Sequence, residues 1–527
     1  MLTMIDLTGN NLTIEELVAV ARHTVKVASL SDAVTAHMQV SQTWVNDTVS
    51  RGEEVIYGVN TGFGPLARRR IAPEQASKLS RNLILNCLAG VGAPLPVEIV
   101  RAMMLLRANM LAKGASGVRP VVAQTLIDML NAGVTPVVPS KGSLGASGDL
   151  APLAHIAVVL TRDLEDGDGG YSGQAWYKGE LLSGAEAMAR AGLKRLVPEA
   201  KEGLALTNGV QFMVAAGALG VYDAERLVRH AEIAAALSFE ALLGLSEALH
   251  PLLHQASGQP GQIVVAANLR TLLHGSRLID SSPGRVQDAY SLRCTPQVLG
   301  PARDALAFIR DRFALALNAV SDNPLIFPEL ETSRKALSGG NFHGGGPAMW
   351  LDFLGIAIAE VADIAERRIF RMLTPELSDG LPSMLVPTSG IDSGLMIPQY
   401  TAAALVSDNK TLAHPDSVDS IPSSANQEDH VSMGANAARH ALEIVDNVRH
   451  VIAVELLTTA QAIDLRPGGP MSLGCGTAAA YHLIRRRVTF LKHDRETAPD
   501  IEALTELIRS GELLEVVDKA LSAASRR

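Results

Sequence analysis

Residues 142 to 153 read Gly142-Ser143-Leu144-Gly145-Ala146-Ser147-Gly148-Asp149-Leu150-Ala151-Pro152-Leu153. Three glycines within seven residues make a tight turn with close backbone approach. The triplet Ala146-Ser147-Gly148 carries the chemistry. In a sharply bent turn the Gly148 nitrogen can attack the Ala146 carbonyl, because glycine lets a backbone nitrogen come so close. Loss of water, including the Ser147 hydroxyl, leaves a five-membered ring with an exocyclic methylidene. That is a carbon electrophile, which no standard side chain supplies. The plain alternative is a helix-entry loop, with Asp149 capping the next helix and Pro152 in its first turn.

Six other stretches hold residues of chemical interest. Tyr57-Gly58-Val59-Asn60-Thr61-Gly62-Phe63-Gly64-Pro65 is too rich in glycine for a regular element. It reads as a mobile or specially shaped loop, of the kind that carries function, or as an ordinary turn with a buried Tyr57. In Gln287-Asp288-Ala289-Tyr290-Ser291-Leu292-Arg293 the residues Gln287, Tyr290 and Arg293 are spaced by three, so one helical turn can present them together. The planar fork of Arg293 suits a bidentate grip on a carboxylate, or a surface pairing with Asp288. Asn208, in Leu206-Thr207-Asn208-Gly209, fits a turn. Glu428, in Ser423-Ser424-Ala425-Asn426-Gln427-Glu428-Asp429-His430-Val431-Ser432-Met433, fits the negative charge favoured at a helix start. His343, in a Gly-rich turn with Phe342, has no second histidine at metal spacing and reads as structural. Asn86 and Cys87 fit satisfied core positions.

The run from Gly142 to His155 and the other blocks, in the same order, resemble the aromatic amino acid lyase family. Its members carry a methylidene-imidazolone (MIO) formed from an Ala-Ser-Gly triplet. The resemblance implies that Ala146, Ser147 and Gly148 form MIO autocatalytically and that the Tyr57 loop covers the site, with Tyr57 as base. It implies that Arg293 anchors the substrate carboxylate and Tyr290 handles a proton. Gln287 and Phe342 then line the pocket, and Asn208 lies beside the electrophile. Asn86 and Cys87 stand where the family contacts the substrate side chain. Histidine lyases show Ser-His there and tyrosine lyases His-Leu. Gln427 and Glu428 fall in a block shared with the histidine ammonia-lyase branch, as do Asn409 to Pro415. The activity implied is elimination of ammonia from an aromatic L-amino acid, histidine to urocanate above all. A phenylalanine- or tyrosine-type lyase, a 2,3-aminomutase, and a helical scaffold without turnover are the alternatives. The family assembles as a homotetramer with shared sites.

Those residues need a frame. At 527 residues the chain exceeds one ordinary core. Hydrophobic residues make up 47 % and aromatics 4 %, so alanine, leucine and valine fill packed helices. The resemblance implies a mainly α fold, a long-helix bundle of the fumarase/aspartase-like type with a small mixed N-terminal part. By chain order the expected domains are 1–205, with the Tyr57 loop and the triplet, 206–465, the bundle, and 466–527, a helical tail. Within these, Thr13 to Glu16 starts a helix, and Glu98 to Met110 and Val118 to Leu130 are amphipathic helices. An apolar helix ends at Gly90, and Val137 to Pro139 is a strand. A long helical pattern opens with Ser423 and reaches about Leu465. Residues 162 to 180 are an acidic, Gly-rich solvated excursion without the ligand spacing of a calcium loop.

Net charge is −9 with no polybasic run, which argues against nucleic-acid or anionic-membrane partners. The three cysteines, Cys87, Cys294 and Cys475, lack the spacing of a disulfide framework or a zinc site. No metal is expected. Met1 to Asn10 carries no signal-peptide pattern, and no apolar run reaches the roughly 20 residues of a membrane span. The expectation is a soluble, cytoplasmic protein acting on a small amino acid.

Overall fold

The computed structural model describes residues 4–52, 54–165, 169–332 and 334–524. Residues 166–168 of the acidic excursion therefore lie outside the described residues. The rest of that excursion is more ordered than a solvated loop: Gln174–Tyr177 and Glu180–Ser183 form an antiparallel hairpin, joined by Thr135–Pro136 into a three-stranded sheet. The fold is mainly helical, as expected, and its described strands form four small sheets.

Two compact units divide the chain discontinuously. One comprises residues 1–219, 310–352 and 415–439, the other 220–309, 353–414 and 440–527. Four of the five boundaries fall inside long helices, and neither unit is a run of consecutive sequence, unlike a division at 205 and 465.

In the first unit, helix Val97–Ala112 packs against Pro120–Ala132 and Ile14–Ala21. Thr13 and Glu16 close a reciprocal capping box on the last of these, satisfying orphan donors of the first turn. The Val97 helix is not amphipathic: every residue from Ile99 to Ala112 is buried. Its arginines are accommodated by backbone carbonyls. Arg101 donates to those of Val20, Ala21 and Leu130, and Arg107 to those of Ala205 and Asn208.

A second group of helices in this unit positions the site. Ala76–Asn86, Leu150–Leu160 and Glu202–Thr207 pack on one another. Gly203 allows the close approach: a Cβ there would lie 2.2 Å from the Ser80 carbonyl oxygen. The first helix ends at Asn86, four residues before Gly90, because the chain then turns into strand Val91–Pro94 against Pro139–Lys141. That strand begins where the Val137 run ends.

The second unit holds most of the long helical spine. Arg368 and Glu455 form an ion pair with both side chains fully buried, and Ser238 donates to the same Glu455 carboxylate at 2.7 Å. This ties together the helices Gln211–Ala241, Gly345–Leu373 and Gly434–Leu465. A buried carboxylate is tolerable only when paired and hydrogen-bonded in this way. The last helix has 32 residues, about 48 Å, and starts eleven residues later than Ser423. Cys475–Arg487, Ala498–Ser510 and Glu512–Ala524 close the chain as three packed helices.

Candidate active site

The triplet lies at the packed ends of the three site helices, entirely within the first unit. Gly148 N–H donates to the Gly145 carbonyl at 3.2 Å, closing a tight turn. Ser147 has a left-handed φ of 54°, uncommon for a residue with a side chain and frequent at functional sites. Gly148 has φ 80°, and a Cβ on it would lie 2.2 Å from the Gly209 carbonyl oxygen, so only glycine fits. The segment after helix Glu202–Thr207 brackets the turn. Asn208 Nδ2 donates to the Ser147 carbonyl at 3.0 Å, and Asp149 N–H donates to the Gly209 carbonyl at 2.7 Å.

Asp149 precedes helix Leu150–Leu160 but does not cap it. Its Oδ2 instead accepts the N–H groups of Phe212 and Met213, at 2.9 and 3.2 Å, at the start of Gln211–Ala241. Burial pushes its carboxyl up to about 7; the two N–H donors and the Arg107 charge oppose that rise. Its Oδ1 is buried without a partner. Arg107, fully buried beneath the same loop, is pulled down to about 10 by desolvation.

Over this turn opens a cavity of about 550 Å³. Its lining brings together Tyr57, Asn86, Cys87, Ala146, Ser147, Asn208, Phe342, Gln427 and Glu428 from the sequence-derived candidates. Gly148 is not among the lining residues. Tyr57 faces in from a turn that continues into the short helix Gly64–Leu66, which packs on Ser424–Asn426. The Gly64 N–H donates to the Tyr57 hydroxyl oxygen at 3.3 Å. Burial raises the Tyr57 phenol, the Gly64 N–H opposes, and the Glu428 charge adds to the rise. Burial pushes the Cys87 thiol up to about 11, which favours the neutral thiol.

Glu428 sits in a loop, not on a helix as its sequence setting suggested. Ser423 N–H donates to the Glu428 carbonyl at 3.0 Å, and Ser424, Ala425 and Asn426 between them are all left-handed. No side-chain hydrogen bond among the described residues holds the Glu428 carboxylate, and its Oε2 is buried without a partner. An unsatisfied carboxylate oxygen and the unpartnered Oδ1 of Asn208 in one cavity are what a site awaiting a polar ligand presents.

Gln287, Tyr290 and Arg293 belong to the second unit and do not line this cavity. Nor do they share one helical turn: the helix is only Tyr290–Arg293, and Gln287 lies in the extended segment before it. Asp288 pairs with Arg285 at 3.0 Å, not with Arg293, whose guanidinium stacks over the Tyr290 ring at 4.6 Å. Tyr290 is 71 % exposed.

Sequence reasoning passed over several lining residues: Phe63, Leu83, Leu150, Leu204, Asn323, Ser338 and Asp429, and a histidine pair. His343 and His430 stack at 5.5 Å between ring centroids, though 87 positions separate them. Asn323 lies in the segment that follows helix Thr295–Ala316. Its Oδ1 accepts the Gly339 N–H at 2.7 Å and so holds the Phe342 turn. The His430 signal was present inside the quoted block, but nothing local tied it to His343.

The sequence pattern of the aromatic amino acid lyase family matches residues 12–486. The chain is 49 % identical over 516 residues to the histidine ammonia-lyase of Treponema denticola, covering 98 % of this chain and 99 % of the other. This chain belongs to the aromatic amino acid lyase family. Solved family structures superpose closely. The histidine ammonia-lyase of Trypanosoma cruzi gives a TM-score of 0.88 at 38 % identity, covering 98 % of this chain and 95 % of that one. The tyrosine aminomutase of Streptomyces globisporus gives 0.90 at 35 %, covering 98 % of each. Family membership fits the site's most unusual feature, a left-handed serine flanked by a glycine with no room for a side chain.

Proposed function

We propose that this carbon–nitrogen lyase eliminates ammonia from an aromatic L-amino acid, L-histidine giving urocanate. What supports the reading is that Tyr57, Ser147, Asn208, Phe342 and Glu428 share one cavity in a chain about half identical to histidine ammonia-lyases.

The residues fit an MIO group. The Ala146–Gly148 turn is tight, Gly148 has no space for a Cβ, and Asn208 reaches the Ser147 carbonyl. Ring closure joins the Gly148 nitrogen to the Ala146 carbonyl carbon with loss of one water, and the Ser147 hydroxyl leaves as a second. Once formed, the group supplies a carbon electrophile that makes the substrate amine a leaving group.

The chain's own residues do the rest. The Asn208 amide donates to the Ser147 carbonyl, where it would stabilise negative charge drawn onto that oxygen. Helix Leu150–Leu160 starts three residues after Ser147 and brings its positive end to that spot. Tyr57 takes the β-proton. Its oxygen already accepts the Gly64 N–H, which stabilises the phenolate. Glu428 orients a polar ring such as imidazole, between Gln427 and the Asn86-Cys87 wall. Arg293, with Tyr290 and Gln287, grips the carboxylate from another copy of the chain in a homotetramer with shared sites.

Incubation with a panel of amino acids and mass spectrometry of the products tests this. Urocanate from histidine is the expected result. Another arylacrylate selects a different lyase specificity, and a β-amino acid selects an aminomutase. An intact mass without the loss of two waters, together with no turnover, defeats the proposal.

A further inference from the structure

The mouth of the cavity carries a connection that the reaction above does not use. His343 Nδ1 accepts the N–H of Gly345 at 3.1 Å. The ring nitrogen that accepts carries no proton, so in the neutral ring the proton sits on Nε2. That Nε2–H points at the His430 carbonyl at 3.3 Å, with His430 Nδ1 as a second acceptor at 3.4 Å. The two rings stack with 29° between their planes. His343 follows Phe342 in a turn closed by its own N–H on the Gly340 carbonyl at 2.8 Å. His430 lies two residues after Glu428 in the same loop.

At the cavity end that loop packs on the short helix Gly64–Leu66. Three consecutive left-handed residues, Ser424 to Asn426, store backbone strain. The Glu428 side chain has no hydrogen-bond partner among the described residues. No side-chain hydrogen bond among those residues fixes it, so its position follows that of its loop. One fixed point is the Ser423–Glu428 closure. The other is the segment from His430 onward, where Val431 N–H donates to Ser420 Oγ at 3.0 Å and Met433 N–H to the Leu144 carbonyl at 3.0 Å. Across the cavity, Glu428 Oε1 lies 3.9 Å from where a Cβ on Gly64 would be, beside the residue whose N–H meets Tyr57.

We infer that His343 is a positioning residue: by clasping the His430 carbonyl from the Phe342 turn, it fixes the loop on which Glu428 faces Tyr57. The role rests on the lyase reading above, in which Tyr57 is the base. The titratable groups lining this cavity with Tyr57 are Cys87, Glu428, Asp429, His343 and His430. Among the described residues Glu428 is the one whose charge acts on the phenol, and it raises it.

The two ring nitrogens can be separated by substitution. In His343→Asn the side-chain oxygen stands in for Nδ1 and keeps the Gly345 bond, but nothing reaches His430. In His343→Gln the amide nitrogen stands in for Nε2 and keeps the clasp. The rising limb of kcat/KM against pH, which reports Tyr57 ionisation, moves to lower pH in His343→Asn, in the direction Glu428→Gln moves it. His343→Gln restores the wild-type limb. In the double variant His343→Asn/Glu428→Gln the histidine change adds no further shift. Hydrogen exchange followed by mass spectrometry gives a readout independent of turnover: amides of Ser423 and Val431 exchange faster by about tenfold in His343→Asn, the loss of about one hydrogen bond, and not in His343→Gln. Unchanged exchange in His343→Asn overturns the clasp. A limb that stays in place, or one that shifts equally with and without Glu428, overturns the positioning role. Wild-type protein that turns over no amino acid overturns the lyase reading, and the exchange result then judges the clasp alone.

Discussion

Gly148→Ala is the sharpest test of the turn at the centre of this molecule. A side chain at φ 80° costs about 1–2 kcal/mol in any surroundings. Here the added Cβ also falls 2.2 Å from the Gly209 carbonyl oxygen and 2.5 Å from its carbon, both backbone atoms with no rotamer to escape into. The Gly209 peptide has to retreat by roughly 1 Å to reach ordinary contact. Two hydrogen bonds depend on that peptide: Asp149 N–H to its carbonyl at 2.7 Å, and its own N–H to Ser147 at 3.3 Å. At about 1 kcal/mol each, their loss brings the total to about 3–4 kcal/mol. Gly133 is the control, with φ 79° and nothing within 4 Å of a Cβ. Gly133→Ala carries the conformational cost alone, so the two variants should differ by about 2 kcal/mol in equilibrium denaturation. Intact-mass measurement reads the chemistry. Gly148→Ala should retain the two waters that the wild type and Gly133→Ala lose, and its deamination should fall by at least about a hundredfold, as a 1 Å misplacement predicts. Complete loss of both waters in Gly148→Ala, at a stability equal to that of Gly133→Ala, would refute the reasoning.

Other outcomes follow from the same geometry. Asn208→Ala removes the donor to Ser147, and kcat/KM should drop roughly 10- to 100-fold with an unchanged circular-dichroism spectrum; equal activity would remove Asn208 from the site. Cys87, pushed from 9.0 to about 11, should react with iodoacetamide near neutral pH about a hundredfold more slowly than an ordinary thiol. Peptide mass spectrometry across a pH series checks this. Asp149 has a folded-state value of about 7 against 3.8. Its contribution to stability is therefore fully present below 3.8 and is lost as pH rises through about 7. Relative to Asp149→Asn, the wild type should lose stability across that window and hold a constant gap above it, read by denaturation midpoints. A gap independent of pH would show that the carboxyl titrates normally.

Much of this protein was legible in its sequence because the signals are local. The helix start at Thr13 to Glu16 and the glycine spacing of the 142–148 turn depend on neighbours one helical turn away or less. The helical class follows from them and from the aromatic-poor composition. What the sequence could not give were the partners set by distance along the chain. Asp149 precedes one helix yet caps another starting 62 residues later, through the N–H groups of Phe212 and Met213. Tertiary burial overrode the amphipathic reading of helix Val97–Ala112, since distant carbonyls accept from Arg101 and Arg107. Backbone closure from Ser423 to Glu428 placed Glu428 in a loop where charge pattern suggested a helix start. The His343–His430 contact joins 87 positions. Residue types and short spacings determined which chemistry was available; only the packed chain decided which groups face one another, because desolvation and contact are properties of space and not of sequence order.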